Sequence, residues 1–291
     1  ESVEHGERWS RYSFVGRNPR GTLTLRNGVL TVTGDVPASV PLDKGMLAAM
    51  EELLRIYRAP LFPDLPPLQG GLMGHLGYDV VREIEDLPNV PRDDRDLPDA
   101  SISIIGSLAA FDHWRQRVYM LESVPVAGLT DAQIGEAYDA AVVRVHEAVA
   151  DLARPLAYVA VEPPVAGENL PTTRSSMPNG AYRSAVDVAK EYIRAGDIFQ
   201  VVLSQRFDID LTADPFDVYR VLRQVNPSPY MYFLRQPDLT IVGGSPEPLV
   251  QLVNGRVVSR PIAGTRKRGV DDEHDKRLAG ELRENPKEVA E

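Results

Sequence analysis

The sequence predicts an α+β protein with large antiparallel sheets, and three observations carry that prediction. Two Asn-Gly dipeptides, at 27–28 and 254–255, each join a pair of β-rich runs, as a type I′ hairpin turn requires. The run "FQVVLSQRFDIDL" (199–211) alternates apolar and polar residues in the manner of a half-buried antiparallel strand. Apolar stripes at helical spacing lie among these runs in mixed order, without the strand–helix alternation of a parallel sheet.

Taken in order, "RWSRYSFVG" (8–16) reads as a strand leading into the first hairpin, "TLTLRNGVLTV" (22–32). A helix is expected from Asp43, with Leu47, Met50, Leu54 and Tyr57 as its apolar stripe. "LQGGLMGHLGYD" (68–79) is apolar and dense in glycine, which predicts a strand packed closely on other backbone. "SISIIGSLAAFDH" and "RVYMLES" follow as strands. Thr130 with Gln133 forms a capping box for a long helix carrying Ile134, Tyr138, Ala141, Val145 and Val149. The stretch at 161–180 is rich in Pro, Gly, Ser and Thr and reads as a linker or long crossing between two halves. A helix over 181–195 carries Tyr182, Val186, Ala189 and Ile193 and is ended by Gly196. In 199–211, Phe199, Val201, Leu203, Phe207, Ile209 and Leu211 are expected on one face. Asp214-Pro215 with Asp217 starts another helix, with Val218, Val221, Leu222 and Val225 inside.

Bulk composition narrows the function. A net charge of -10 argues against a nucleic-acid or anionic-membrane surface as the main partner. The absence of cysteine excludes disulfides, thiol catalysis and Cys-ligated zinc, and the five histidines lack metal-binding spacing. No apolar run approaches the roughly 18 residues of a membrane span and no signal peptide is visible, so a cytoplasmic protein is expected. Both ends read as cut: the first residue is Glu1, and "KEVAE" stops inside a helical pattern.

Four motifs carry candidate chemistry. "NPSPYMYF" (226–233) fixes the backbone around Ser228 with two prolines and then offers Tyr230, Met231, Tyr232 and Phe233. It is either a helix stop before a core strand or a pocket for a flat apolar ligand. "GGSPEP" (243–248) places Glu247 between two prolines after glycines that admit a close neighbour, and a tight turn with a solvated glutamate is its plainer reading. "RPIAGTRKRG" (260–269) is either a solvated basic tip or an anion grip built on Gly264 and Thr265, with Arg260, Arg266, Lys267 and Arg268 around it. It is no phosphate loop, for it lacks GxxxxGK[ST]. Glu281, Glu284, Glu288 and Glu291 would share one helical face and repel unless a cation sits among them. Pro286 weakens the single helix, since "NPKE" reads as a new start with Asn285 as cap and Glu288 completing a capping box. Carboxylates without nitrogen or sulfur ligands suit Mg²⁺.

In order along the chain, "ES…SRYSFVG", "GGLMGHLGYD", "AGDIFQVVLSQRF", "VNPSPYMYF", "VGGSPEPLV", "RPIAGTRKRG" and "KEVAE" resemble the chorismate-utilising enzymes, specifically anthranilate synthase component I. The resemblance implies two large, mostly antiparallel sheets packed with helices, incomplete at the C-terminus. It implies a division into 1–165, carrying elements of an allosteric tryptophan site, and 166–291, the first part of the chorismate-binding catalytic region. The implied reaction joins chorismate and ammonia to give anthranilate and pyruvate with Mg²⁺, the first step of tryptophan biosynthesis. Ammonia would come from a glutamine amidotransferase subunit, making a hetero-oligomer, with tryptophan as feedback inhibitor. Mg²⁺ would orient the ring carboxylate and stabilise the charge that develops in the transition state.

Carried over by position, Gly264 and Thr265 match the chorismate-contacting pair, Glu291 the metal glutamate with Glu288 as a second carboxylate, and Glu247 a catalytic residue lining the same site. Ser2, Pro229, Tyr230 and Met231 match the tryptophan pocket, with Glu1 and Arg11 as further candidates. Ala263 stands where many aminodeoxychorismate synthases carry a nucleophilic lysine, so the resemblance points to direct attack by ammonia. The alternatives are an aminodeoxychorismate synthase of the folate branch and a non-catalytic tryptophan-binding or docking module. Leu203 departs from the proline frequent in the family. The motifs expected after Glu291 are absent, so this chain by itself is expected not to turn over chorismate.

Overall fold

The computed structural model describes residues 1–3, 11–156, 159–165, 167, 171–260, 262 and 264–290. Strand β1 (Tyr12–Arg17) precedes the first hairpin, β2 (Gly21–Arg26) and β3 (Val29–Gly34), whose turn residues take left-handed backbone, φ 50° at Asn27 and 74° at Gly28. Helix α1 (Gly45–Ile56), strand β4 (Leu72–Leu76) and a 3-10 helix (Tyr78–Glu83) follow. Strands β5 (Ala100–Ile104), β6 (Ser107–Asp112) and β7 (Arg117–Glu122) then complete two antiparallel sheets, β3-β2-β5-β4 and β1-β6-β7. "SISIIGSLAAFDH" divides at Ile105-Gly106 and feeds both sheets. Strand β1 therefore belongs with β6, not with the hairpin it precedes.

Along β2 alternate residues are buried, Leu23 and Leu25 among them, and they face α1 across a core of Leu30, Val40, Ala100, Ile102 and Ile104. Each leucine, isoleucine and valine among them contributes roughly 1.5–3 kcal/mol by leaving water. The helix presents Met46, Ala49 and Leu53 to this core, all fully buried, while Leu54 is 58% exposed. The stripe expected through Leu47 and Leu54 is thus rotated by one residue. Strand β4 runs so close to β5 that a Cβ at Gly74 would collide with the Ser101 carbonyl, as its glycine-rich sequence predicts. Helix α2 (Asp131–Leu152) starts with both halves of the Thr130/Gln133 capping box, but it buries Ala141 and Ala148 and leaves Tyr138 and Val149 exposed.

Strand β8 (Thr173–Ser175), helix α3 (Ala181–Ala195) and strand β9 (Phe207–Ile209) come next. Gly196 ends α3 in the left-handed conformation, φ 84°. None of α3 is fully buried, and Ile193 of its expected stripe is 44% exposed. The long strand expected over 199–211 is ordered as a strand only at β9. A strand is held by its neighbours, and among the described residues only the three-residue β8 pairs with it, so Phe199 remains 88% exposed. Helix α4 (Pro215–Val225) begins under an Asp214 cap whose carboxylate accepts from Phe216 N at 2.7 Å. Tyr219 is its buried residue, and Val225 of the expected inner side is exposed.

Strands β10 (Tyr230–Arg235) and β11 (Thr240–Ser245) form one antiparallel ribbon, and β12 (Gln251–Val253) and β13 (Arg256–Val258) form the second Asn-Gly hairpin, with φ of 50° at Asn254 and 76° at Gly255. Helices α5 (Asp272–Glu284) and α6 (Pro286–Ala290) close the described chain. Contacts group Glu1–Val159 with Leu222–Glu291 in one compact unit and Ala160–Val221 in a second. Among the described residues no helix is long and apolar enough to cross a membrane.

Candidate functional site

Two clusters gather the sequence-predicted residues, and both lie in the larger unit. The first is built on α6. Asn285 leaves helical geometry at ψ 119° and separates α6 from α5, and its side chain accepts from Lys287 N at 3.0 Å and Glu288 N at 3.4 Å. The expected cap is therefore present, but Glu288 does not complete the box. Its carboxylate instead lies against Gly264, where a Cβ would collide with it. Glu288 Oε1 stands 3.8 Å from Arg266 Nη1, and Oε2 is buried with no hydrogen-bond partner in the structure. A buried carboxylate oxygen without a donor is electrostatically incomplete, and a hard cation is one species that completes it.

Glu247 reaches the same loop from β11. Its Oε2 accepts from Ile262 N at 3.1 Å, and its backbone is fixed by Ser245, whose hydroxyl accepts from Glu247 N at 3.3 Å and donates to Glu247 O at 2.9 Å. Thr265 is exposed beside Gly264. Arg268 turns away to Asp275 at 3.0 Å, and Gly269 N donates to the same carboxylate at 2.7 Å, pinning the loop to the first turn of α5. Glu281 pairs with Arg277 on α5. Glu291 and Ala263 lie outside the described residues. The donors present are carboxylate oxygens, which fit Mg²⁺ in kind, although no group of three or more candidate ligands occurs among the described residues.

The second cluster is built on β10. Glu1 N donates to Met231 O and Met231 N to Glu1 O, both at 2.7 Å, and Val3 N donates to Ser228 O at 3.1 Å. The residues "ES" thus lie beside "NPSPYM", held by these main-chain bonds, with Pro229 and Tyr230 half-buried at the junction. Ser2 Oγ is buried without a hydrogen-bond partner. Met231 is 2% exposed and faces Gly244, and the ring of Tyr232 fills the space that a side chain at Gly243 would need. The paired glycines of "GGSPEP" therefore make room for this cluster.

Arg11 is engaged elsewhere. Its Nε and Nη2 donate to the two oxygens of buried Asp112 at 3.2 and 2.8 Å, and its guanidinium stacks over Tyr12 and Trp114. That hydrogen-bonded guanidinium, helped by the amides of Arg115 and Trp114, holds the Asp112 carboxyl down to about 2. The residues that sequence reasoning missed are cations. Arg266, which the sequence offers only as one of four basic residues around the Gly264–Thr265 turn, faces Glu288. Arg223 reaches Glu1, and a basic residue in the last turn of a helix ordinarily reads as a partner of the helix dipole.

Residues 6–291 match the family described as chorismate binding enzyme. The chain is 39% identical over its whole length to anthranilate synthase component 1 of Arthrobacter globiformis and 44% identical to that of Thermus thermophilus. It spans 56% and 59% of those relatives. A crystal structure of anthranilate synthase component I from Streptococcus pneumoniae TIGR4 superposes over all of the chain and 60% of its own, with a TM-score of 0.76 at 28% identity.

Proposed function

Because this chain belongs to the chorismate binding enzyme family, we propose that it is part of the large subunit of an anthranilate synthase. In this reading the protein converts chorismate and ammonia to anthranilate and pyruvate, with ammonia delivered by a glutamine amidotransferase subunit and tryptophan as feedback inhibitor. The observation that carries the reading is the meeting of Glu247, Gly264 and Glu288 at one loop, although they come from a ribbon, a hairpin exit and a late helix.

The site's work divides by residue. Gly264 and Thr265 receive a substrate carboxylate, since a backbone without a side chain lets an anion approach the main-chain N–H groups. Glu247 holds Ile262 N and so fixes the entrance of that loop. Glu288 with Glu291 would hold Mg²⁺, which when bound supplies positive charge to the ring carboxylate and the departing hydroxyl. Arg266 keeps the Glu288 carboxylate beside Gly264. Ser2, Met231 and their neighbours take tryptophan, and β11 joins the two clusters, for Gly244 lies opposite Met231 while Glu247 follows Ser245 by two residues.

Calorimetry of chorismate binding to the full-length protein, with and without Mg²⁺, tests this. Wild type is expected to bind in an Mg²⁺-dependent manner, and Glu288→Gln to lose that dependence. Equal binding by both proteins would remove Glu288 from the site.

A further inference from the structure

The Glu1 carboxylate is committed before any ligand arrives. Arg223 at the end of α4 places Nε 2.5 Å from Oε1 and Nη2 3.2 Å from Oε2, a two-pronged grip that a lysine cannot reproduce. Ser13 on β1 donates its hydroxyl to Oε2 at 2.9 Å, and the same hydroxyl lies 2.8 Å from His113 Nε2. The Glu1 side chain is only 15% exposed, so this grip works with little competition from water. Meanwhile the backbone on either side of Ser2 is paired to Met231 of β10 and to Ser228 just before it, and Ser2 Oγ is left buried and without a hydrogen-bond partner. The segment is thus held at both its charged side chain and its main chain, around a polar atom that still needs a partner.

We propose that Arg223 and Ser13 are positioning residues that latch Glu1–Val3 onto β10 and thereby set the affinity of the effector pocket without touching the effector. This rests on the reading of that pocket as a tryptophan site. Two consequences separate the latch from general structural support. Loosening it frees the amides of Val3 and Met231, while the β10–β11 ladder, which makes its own hydrogen bonds, is unaffected. The loss also follows the two-pronged geometry as well as charge, so lysine restores only part of it.

The test uses the full-length protein. Arg223→Gln is expected to weaken tryptophan binding, measured by calorimetry, by about tenfold or more, because a charge-assisted pair is lost. Arg223→Lys is expected to fall between the two, and Ser13→Ala to lose about threefold, as a single neutral hydrogen bond implies. Amide exchange of the ligand-free proteins should quicken at Val3 and Met231 in Arg223→Gln and stay unchanged at Leu234 and Gly243, whose amides face each other's strand in the ladder. Unchanged affinity and exchange in Arg223→Gln, with Ser2→Ala impaired, would overturn the latch and leave the pocket standing. Absence of tryptophan binding to wild type would remove the effector reading, and the exchange data would still decide the latch. If Arg223→Gln does not fold, Ser13→Ala decides: quickened exchange at Val3 and Met231 supports the latch and unchanged exchange refutes it.

Discussion

At Gly264 the missing side chain is what lets Glu288 lie where it does, since a Cβ there would occupy the position of the carboxylate. The colliding group is the end of a flexible side chain, so Gly264→Ala should displace Glu288 without unfolding the protein. We expect stability to change by less than about 0.5 kcal/mol, while kcat/KM for chorismate falls about a hundredfold through misplacement of a reacting-site group. Steady-state kinetics beside denaturant unfolding checks both, and a loss of stability alone would contradict this account. Asp112 gives a pH signature. Its folded-state carboxyl sits at about 2 against an ordinary 3.8, held down by Arg11, so its stabilising contribution is complete above about pH 4 and lost as pH falls through 2. Wild type should therefore be more stable than Asp112→Asn near neutrality, with the gap closing between pH 4 and 2 in denaturant titrations. A gap of constant size would mean that the Arg11 pair has no differential effect on folding. At this scale the sequence shows which residues are unusual, such as Gly264 and Glu288, but not which cation faces which anion. Arg266 and Arg268 stand in one basic run, yet they turn to Glu288 and Asp275 respectively.

Elements whose signals are local were legible. Asn27-Gly28 and Asn254-Gly255 need positive φ and have it, Thr130 with Gln133 caps α2, and Gly196 ends α3. Faces chosen by packing were not. Helix α1 is apolar over more than half its circumference, so periodicity alone does not choose between a stripe through Leu47 and one through Met46, and the sheet chooses the latter. The start of α1 also has a remote cause. Lys44 makes no side-chain cap, and the carboxylate of Glu83, on the 3-10 helix, accepts from Met46 N at 2.8 Å and Leu47 N at 2.9 Å. Gly45, at φ 88°, has no Cβ to block it, for one would lie 2.7 Å from that carboxylate. Glu83→Ala should lower unfolding stability by about 1–2 kcal/mol, the usual loss for a removed cap. A denaturant midpoint unchanged from wild type would show that water replaces the cap at no loss.

For the molecule as a whole, the contacts divide a well-buried unit from a thinly packed one. Residues 160–221 hold two three-residue strands, α3, which has no fully buried residue, and the first part of α4 with its buried Tyr219, whereas the larger unit contains the core around Leu23, Met46 and Leu53. Local stability follows buried apolar contact. Hydrogen exchange should therefore open amides over 199–209 well before those of β2 and β5, and equal protection would contradict the division. The strand expected over 199–211 fails for the same reason, since its alternation is present in the sequence but its pairing depends on neighbours, and among the described residues β8 alone supplies one. The larger unit brings "ES" to "NPSPYM" and Glu247 to Ile262, so residues distant in the sequence meet within it. The most direct test of the function is the product formed when the full-length protein is given chorismate, ammonia and Mg²⁺. Fluorescent anthranilate is the expected product, formed without an added lyase and abolished in Glu288→Gln. Aminodeoxychorismate, or no product at all from the folded wild-type protein, would contradict it.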